Sequence, residues 1–395
     1  MNFFYTLIPV LLAILVSRFF IPFIILVTYK KRLFDPIDER KIHQRIVPRL
    51  GGVAFAPIQC CVFILSLVVM IKILHLDLNV ASWAILPSFM LLLCGLFTLF
   101  VVGIGDDLIS IDYKWKFMIQ LLVASFFPLS GLWINDFYGV FFIHSLSPWI
   151  GIPFTVFMVI LIINAVNLID GLDGLCSGIV GVGCLVLGGL FVYYGAWLHA
   201  LFALITLGIL IPFFFFNVYG VTHRRRQIFM GDTGSMTLGY SMAFLVISFA
   251  MNNTYIKPLT DGAIVIALST LIVPVLDVAR VMCVRWFQKK PIFKPDRNHL
   301  HHFLLRLGLS PRKAMLSILL LTLFFCLFNI VAVRLIHTSF VVLADLLLWG
   351  VFLKVCTGLE KERVKMKEKV NVSKDQDKES LPINMQVSKN FILIK

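Results

Sequence analysis

Charge is scarce in this chain: Asp, Glu, Lys and Arg make up 14% of 395 residues, against 59% apolar residues and a mean hydropathy of +0.94. So few charges exclude a soluble globular domain of this length and leave a polytopic helical membrane protein. Cysteines at metal-binding spacing are missing too. The eight cysteines (Cys60, Cys61, Cys94, Cys176, Cys184, Cys283, Cys326, Cys356) form no Cys-x-x-Cys and lie mostly inside apolar runs, so they read as small core residues. No internal repeat or long linker is visible. The membrane region therefore reads as one domain, residues 1–357, followed by a cytoplasmic tail, 358–395, whose Lys- and Glu-rich composition predicts disorder. Met1 to Tyr5 lacks a basic n-region, and the first apolar stretch is too long for a cleaved leader, so it is expected to remain as a helix.

Stretches of about 17 to 25 apolar residues, long enough to span a bilayer, number eleven. They lie near 4–29, 51–74, 83–103, 117–134, 152–169, 176–194, 199–218, 234–251, 261–284, 314–335 and 338–356. The expected fold is an all-α polytopic helical bundle. The net charge of +14 would suit nucleic acid if it were clustered on one surface, but the 35 Lys and Arg residues alternate by loop. Loop 30–49 holds seven, loop 219–227 holds Arg224, Arg225 and Arg226, and loop 285–313 holds eight, whereas Lys72, Lys257 and Arg334 are strays in the other loops. The positive-inside rule makes the basic loops cytoplasmic, with the N-terminus outside and the C-terminus inside. No nucleic-acid partner is implied; the partner is the lipid bilayer.

That topology sorts the few acids. Asp106, Asp107, Asp112, Asp170, Asp173, Asp232, Asp277 and Asp296 fall on the cytoplasmic side; Asp77, Asp136 and Asp261 fall outside; Asp345 alone lies within a span, with no partner nearby in sequence. Gly105-Asp106-Asp107 follows the third span and reads either as a metal or phosphate contact or as a helix cap. Asn164, Asn167 and Asp170 share a helix face, and Gly171 and Gly174 loosen the backbone around Asp173; amide and carboxylate oxygens there suit a hard cation such as Mg²⁺, or form a cap. Phe229-Met230-Gly231-Asp232-Thr233-Gly234-Ser235 opens the eighth span, where a helix N-terminus favours a phosphate and Asp232 could hold the cation bridging to it; a capping Asp is the alternative. Arg297, His299, His301 and His302 sit in the longest internal cytoplasmic loop as phosphate donors, a transition-metal site or a surface cluster. Lys116, ten residues past Asp106, is a candidate for a lipid phosphate. A hard cation, phosphate-binding helix ends and interfacial lysines on one face together point to phosphoryl transfer onto a membrane-bound acceptor.

The order of these motifs is also familiar. Pro48-Arg49-Leu50-Gly51-Gly52, Gly105-Asp106-Asp107, Asn164 to Gly174, Phe229 to Ser235 and His299-Leu300-His301-His302 together resemble the polyprenyl-phosphate N-acetylhexosamine-1-phosphate transferases, from about Lys41 to Gly308. The Pro295 to His302 pattern, the Arg224 to Arg226 run and eleven spans with an inside C-terminus place it nearer the GlcNAc-1-phosphate branch than the phospho-N-acetylmuramoyl-pentapeptide branch, which is the second reading. The resemblance implies transfer of a sugar-1-phosphate from a UDP-N-acetyl sugar to undecaprenyl phosphate at the cytoplasmic face of a bacterial inner membrane. It implies Mg²⁺, with Mn²⁺ as the substitute ion, and leaves a homodimer open. By the same resemblance Asp106 and Asp107 are catalytic, and Asp232 and Asn167 hold the metal. Asp170, Asp173, Arg297, His299, His301 and His302 bind the nucleotide sugar, and Lys116 binds the lipid phosphate. An ion-coupled transporter, the alternative of another class, predicts acids near the bilayer midplane and a repeat between halves.

Overall fold

The structure, a computed structural model, describes residues 4–33, 50–75, 81–220, 227–253, 262–290 and 299–379. Arg297 lies outside the described residues, as do Arg49, Arg224 to Arg226 and Asp296. Every apolar stretch becomes helix. The order is α1 (Phe4–Lys31), α2 (Phe55–Val68), α3 (Ala81–Ile109), α4 (Tyr113–Leu129), α5 (Pro148–Ile169), α6 (Leu175–Tyr193), α7 (Trp197–Val218), α8 (Gly231–Ala250), α9 (Ala263–Ser269), α10 (Ile272–Phe287), α11 (Leu300–Arg306), α12 (Pro311–Ala332) and α13 (Thr338–Glu379). A 3₁₀ turn at Gly51–Ala54 leads into α2. Among the described residues no strand forms, and a single bridge pairs Asp136 with Ser145.

Nine helices among the described residues are long and apolar enough to cross a membrane, and the bent pair α9–α10 makes a tenth. The remaining stretch of the eleven is α4, at 17 residues. The expected single span over 261–284 is instead broken by 79° between Ser269 and Ile272. Pro274 accounts for the break: its ring would collide with the carbonyl four residues back, at Thr270, so it is accommodated only in the first turn of a new helix. At the far end α13 continues past the expected boundary at 357 to Glu379, so the first part of the tail is helical; Lys, Glu and Met there are strong helix formers that can also pair at i,i+4.

The core is organised round α8. Of its twenty residues only Asp232 reaches the surface; the others are buried. A helix enclosed by other helices need not be apolar, and α8 carries Thr233, Ser235, Thr237, Ser241 and Ser248. Thr237 donates to the Thr233 carbonyl at 2.7 Å and Ser241 to that of Thr237 at 2.9 Å, which satisfies hydroxyls in a place without water. Small residues let neighbouring backbones close in. A Cβ on Gly52 would lie 2.1 Å from Gly234 Cα, and one on Gly239 would lie 2.8 Å from Ile163 Cα.

Asp345 finds its partner in the neighbouring helix: Asn329 of α12 donates to it at 3.0 Å, and both side chains are buried. That pair latches the α12–α13 hairpin and stands apart from the other acids. Backbone contact at Gly52 leaves no room for adjustment, so Gly52→Ala is expected to destabilise by about 1–3 kcal/mol, the usual cost of overpacking. Gly189→Ala, inside α6 where nothing lies within 4 Å, should hold or slightly raise the melting temperature in detergent, alanine being the better helix former. Equal melting temperatures for the two variants would contradict the close approach.

Candidate active site

Adjacent residues on a helix point about 100° apart, and the last turn of α3 uses that divergence. Asp107 turns toward α8 and accepts from Asp232 N at 2.8 Å, Thr233 N at 3.1 Å and the Thr233 hydroxyl at 2.6 Å. It is a cap supplied by another helix, satisfying first-turn amides that have no partner within α8. Gly103, one turn earlier on the same face, permits the approach; a Cβ there would come within 2.5 Å of Thr233 Cα. Asp106 turns toward α4 instead. It is 4% exposed, accepts from Ile111 N at 2.8 Å and forms an ion pair with Lys116. The two carboxylates that the sequence groups as one catalytic pair therefore have different surroundings.

Lys116 links Asp106 to Asp232, its ammonium standing 3.3 Å from Asp232 Oδ2. On the other side Asn167, at the end of α5, donates through Nδ2 to Asp232 Oδ1 at 3.3 Å and to the Ser235 hydroxyl at 2.8 Å. Asp232, Asn167, Lys116 and Asp106, given separate roles by the sequence reading, thus converge from four helices. Asp170 forms the C-cap position of α5, and Asp173 accepts from Gln227 at 3.1 Å, so both belong to the loop that leaves α5 just after Asn167.

That loop is held by Asn217, which sequence reasoning passed over. Its side-chain oxygen accepts from Gly174 N at 2.5 Å and its amide donates to the Ile228 carbonyl at 2.8 Å. The available signal was an amide ending the Phe213–Phe216 run, where an apolar helix has no other use for one. Gly174 itself needs to be glycine, with φ of 79°. Gly51 N and Gly52 N donate to the carbonyls of Phe229 and Met230 at 2.9 and 2.7 Å, fastening the start of α2 to the approach to α8.

The histidines also divide. Asp277 of α10, buried and given no role by the sequence, accepts from His299 Nδ1 at 2.9 Å, from Leu300 N at 3.1 Å and from Arg280 at 2.6 Å. It caps α11 and orients His299. His301, 2% exposed, lies against Gly171, where a Cβ would come within 2.2 Å of its Nε2. The Asn167–Gly174 loop and the histidine segment are therefore in direct contact. Burial first, then His302 and His299, push the His301 pKa down to about 3 against the raising influence of Asp277, so at neutral pH it is an uncharged ring. His302 is half-buried with its ring 4.3 Å from that of His301.

The cluster collects three carboxylates, one ammonium, a helix N-terminus and a histidine-bearing loop at one end of an apolar bundle. That is the equipment of a membrane-embedded enzyme acting on phosphates at the bilayer surface. Sequence comparison agrees with this class. The model of glycosyl transferase family 4 matches residues 89–250, a stretch containing every converging residue but not the histidine loop. A Bacillus subtilis protein named probable undecaprenyl-phosphate N-acetylglucosaminyl 1-phosphate transferase is 31% identical over 335 residues, covering 84% of this chain and 86% of that one. Undecaprenyl-phosphate alpha-N-acetylglucosaminyl 1-phosphate transferases of Yersinia pestis and Escherichia coli K12 are 28% and 27% identical, over 78% and 74% of this chain and 79% and 75% of theirs. The chain belongs to glycosyl transferase family 4, as its motif order indicates.

Asp107→Ala removes acceptors from three donors and is expected to cost about 1–2 kcal/mol of stability, the usual value of a lost cap; an unchanged unfolding midpoint would refute the capping role. The His301 ring gives a pH signature. With the folded pKa near 3 and the ordinary value at 6.5, the unfolded chain takes up a proton that the folded protein refuses, so stability falls as pH drops from 6.5 toward 3. In His301→Gln this part of the melting profile should flatten, and an unaltered pH slope would remove His301 as its source.

Proposed function

We propose that this chain transfers an N-acetylhexosamine-1-phosphate, GlcNAc-1-phosphate foremost, from a UDP-sugar to undecaprenyl phosphate. An oxygen of the lipid phosphate attacks the β-phosphorus, the bond from that phosphorus to the bridging oxygen of UMP breaks, and UMP leaves with the electron pair. The observation that supports this most is the convergence of Asp106, Lys116, Asn167 and Asp232 at the end of apolar helices, where a lipid phosphate and a soluble nucleotide can meet. The named relatives support the donor and acceptor chemistry. The site's acids gather at one end of the bundle, and the one acid within a span, Asp345, is paired with Asn329, which disfavours an ion-coupled transporter.

A phosphomonoester has its second pKa near ~6, so the acceptor is already largely a dianion at neutral pH and general-base help from a carboxylate gains little. The harder task is to bring two anions together. Asp106 holds Lys116 in place, and Lys116 offsets the lipid phosphate's charge. Asn167 holds Asp232 toward the same point, and the loop carrying Asp170 and Asp173, packed on His301, lines the nucleotide side. Arg297, outside the described residues, and His302 would face the diphosphate.

The donor set suits Mg²⁺, or Mn²⁺ in its place: two carboxylates, Asp106 and Asp232, share a single ammonium, and a hard cation takes one or two carboxylates together with phosphate oxygens. Asp232 and Asn167 would hold it. Its contribution would be to neutralise the phosphates brought together there. The alternation of basic loops along the sequence supports a cytoplasmic-face site in a bacterial inner membrane with the N-terminus outside.

Membranes carrying the protein, supplied with radiolabelled UDP-GlcNAc, undecaprenyl phosphate and Mg²⁺, should yield label extractable into organic solvent. No such label with UDP-GlcNAc, UDP-GalNAc or other UDP-N-acetyl sugars would refute the transfer. Asp232→Asn should abolish it while the protein stays folded; retained activity would remove Asp232 from the reaction centre.

A further inference from the structure

One turn deeper in the bundle than Lys116 and Asn167, two amides face each other. Asn164 of α5 donates through Nδ2 to Gln120 Oε1 at 2.8 Å and to the Ile160 carbonyl at 2.8 Å, and Gln120 Nε2 lies 3.5 Å from Asn164 Oδ1. Gln120 is buried, and neither side chain has another hydrogen-bond partner among the described residues. Beyond them on the same faces come Val123, Ala124 and Phe127 of α4 and Ile160 of α5. The amide pair is thus the deepest polar link between the two helices.

Its position relates it to the site above. Gln120 is four residues from Lys116 on one face of α4, about 6 Å along the axis, and Asn164 is three from Asn167 on α5, about 4.5 Å. Lys116 and Asn167 grip opposite oxygens of the Asp232 carboxylate. Polar side chains therefore link the two helices at two levels, once through Asp232, which Lys116 and Asn167 flank, and once through the amides one turn below. Gln120 is buried, so its amide deprived of Asn164 would stay unsatisfied, and the link holds the helix spacing.

We infer that the Gln120–Asn164 amide pair is a positioning device that sets the distance between Lys116 and Asn167 across Asp232, and with it where the acceptor phosphate sits. The inference rests on the transferase reading. Gln120 and Asn164 are positioning residues: they act through Lys116 and Asn167 and touch neither substrate.

The test uses the full chain, purified into lipid nanodiscs, with UDP-GlcNAc, undecaprenyl phosphate and Mg²⁺. Replacing both partners by apolar residues leaves no orphaned amide, so the double variant Gln120→Leu with Asn164→Leu should melt near the parent temperature. Its kcat should fall roughly 10- to 100-fold, the scale of a misplacement of about 1 Å, while KM for UDP-GlcNAc stays within about twofold. The exchange Gln120→Asn with Asn164→Gln preserves the combined side-chain length and should restore kcat to within about fivefold of the parent. A double Leu variant with parental kcat, or an exchange variant no more active than the double Leu variant, would overturn the inference. A parent that transfers nothing would instead count against the transferase reading itself.

Discussion

The first-turn amides of α8 end on the Asp107 carboxylate, and the positions of the site's charged groups follow from that contact. Helix α8 is enclosed along its length, so its N-terminus could be satisfied by water only at the end that carries Asp232. By closing that end with a side chain from α3, the protein fixes α8 along its own axis and in rotation. Asp232, the one residue of α8 that emerges, is then aimed between α4 and α5. The neighbouring Asp106, turned the other way on α3, meets Lys116 because the short connection Ser110–Asp112 returns the chain directly into α4. The carboxylate outside the cluster's centre is the one that builds it.

Much of this was legible in the sequence. The helical regions follow from apolar length, and the site residues are legible because charge in a bilayer is expensive and so is rarely placed without use. Lys116, Asn167 and Asp232 were identified individually and do converge. The missing information concerned pairing. Two adjacent carboxylates look equivalent along a chain, and only the helical twist shows that one faces α8 and the other α4. For Asn217 and Asp277 it is likewise the partner that the sequence does not show: each acts on a segment distant in sequence through backbone groups, although an amide ending an apolar run marks Asn217 as worth attention. The bend in the α9–α10 region was in principle readable from Pro274, but apolar length alone conceals it.

The three histidines show how a cluster in sequence becomes a division of labour in space. Successive positions at the start of a short helix face different neighbours, so His299 turns to the buried Asp277, His301 to the bare backbone of Gly171, and His302 stays partly open. Gly171 has a reason to lack a side chain beyond flexibility, since any Cβ would displace the His301 ring. Contact between these two segments couples the loop carrying Asp170 and Asp173 to the histidine segment, although more than a hundred residues separate them.

In the proposed transfer Lys116 would supply the counter-charge for an incoming phosphate, and it is already paired with two carboxylates. An ammonium shared between Asp106 and Asp232 is restrained but not used up, because each carboxylate has a second support: Ile111 N for Asp106 and Asn167 for Asp232. A dianionic phosphate can therefore draw Lys116 toward itself without leaving either carboxylate stranded. In the proposed transfer a hard cation would offset the negative charge that these acids and the phosphates bring together. Exposed apolar residues of α4 such as Phe117, Met118, Leu121 and Leu122 lie just beyond Lys116 in sequence, and in the proposed transfer the hydrocarbon of a lipid acceptor would lie along such a surface while only its phosphate reached Lys116.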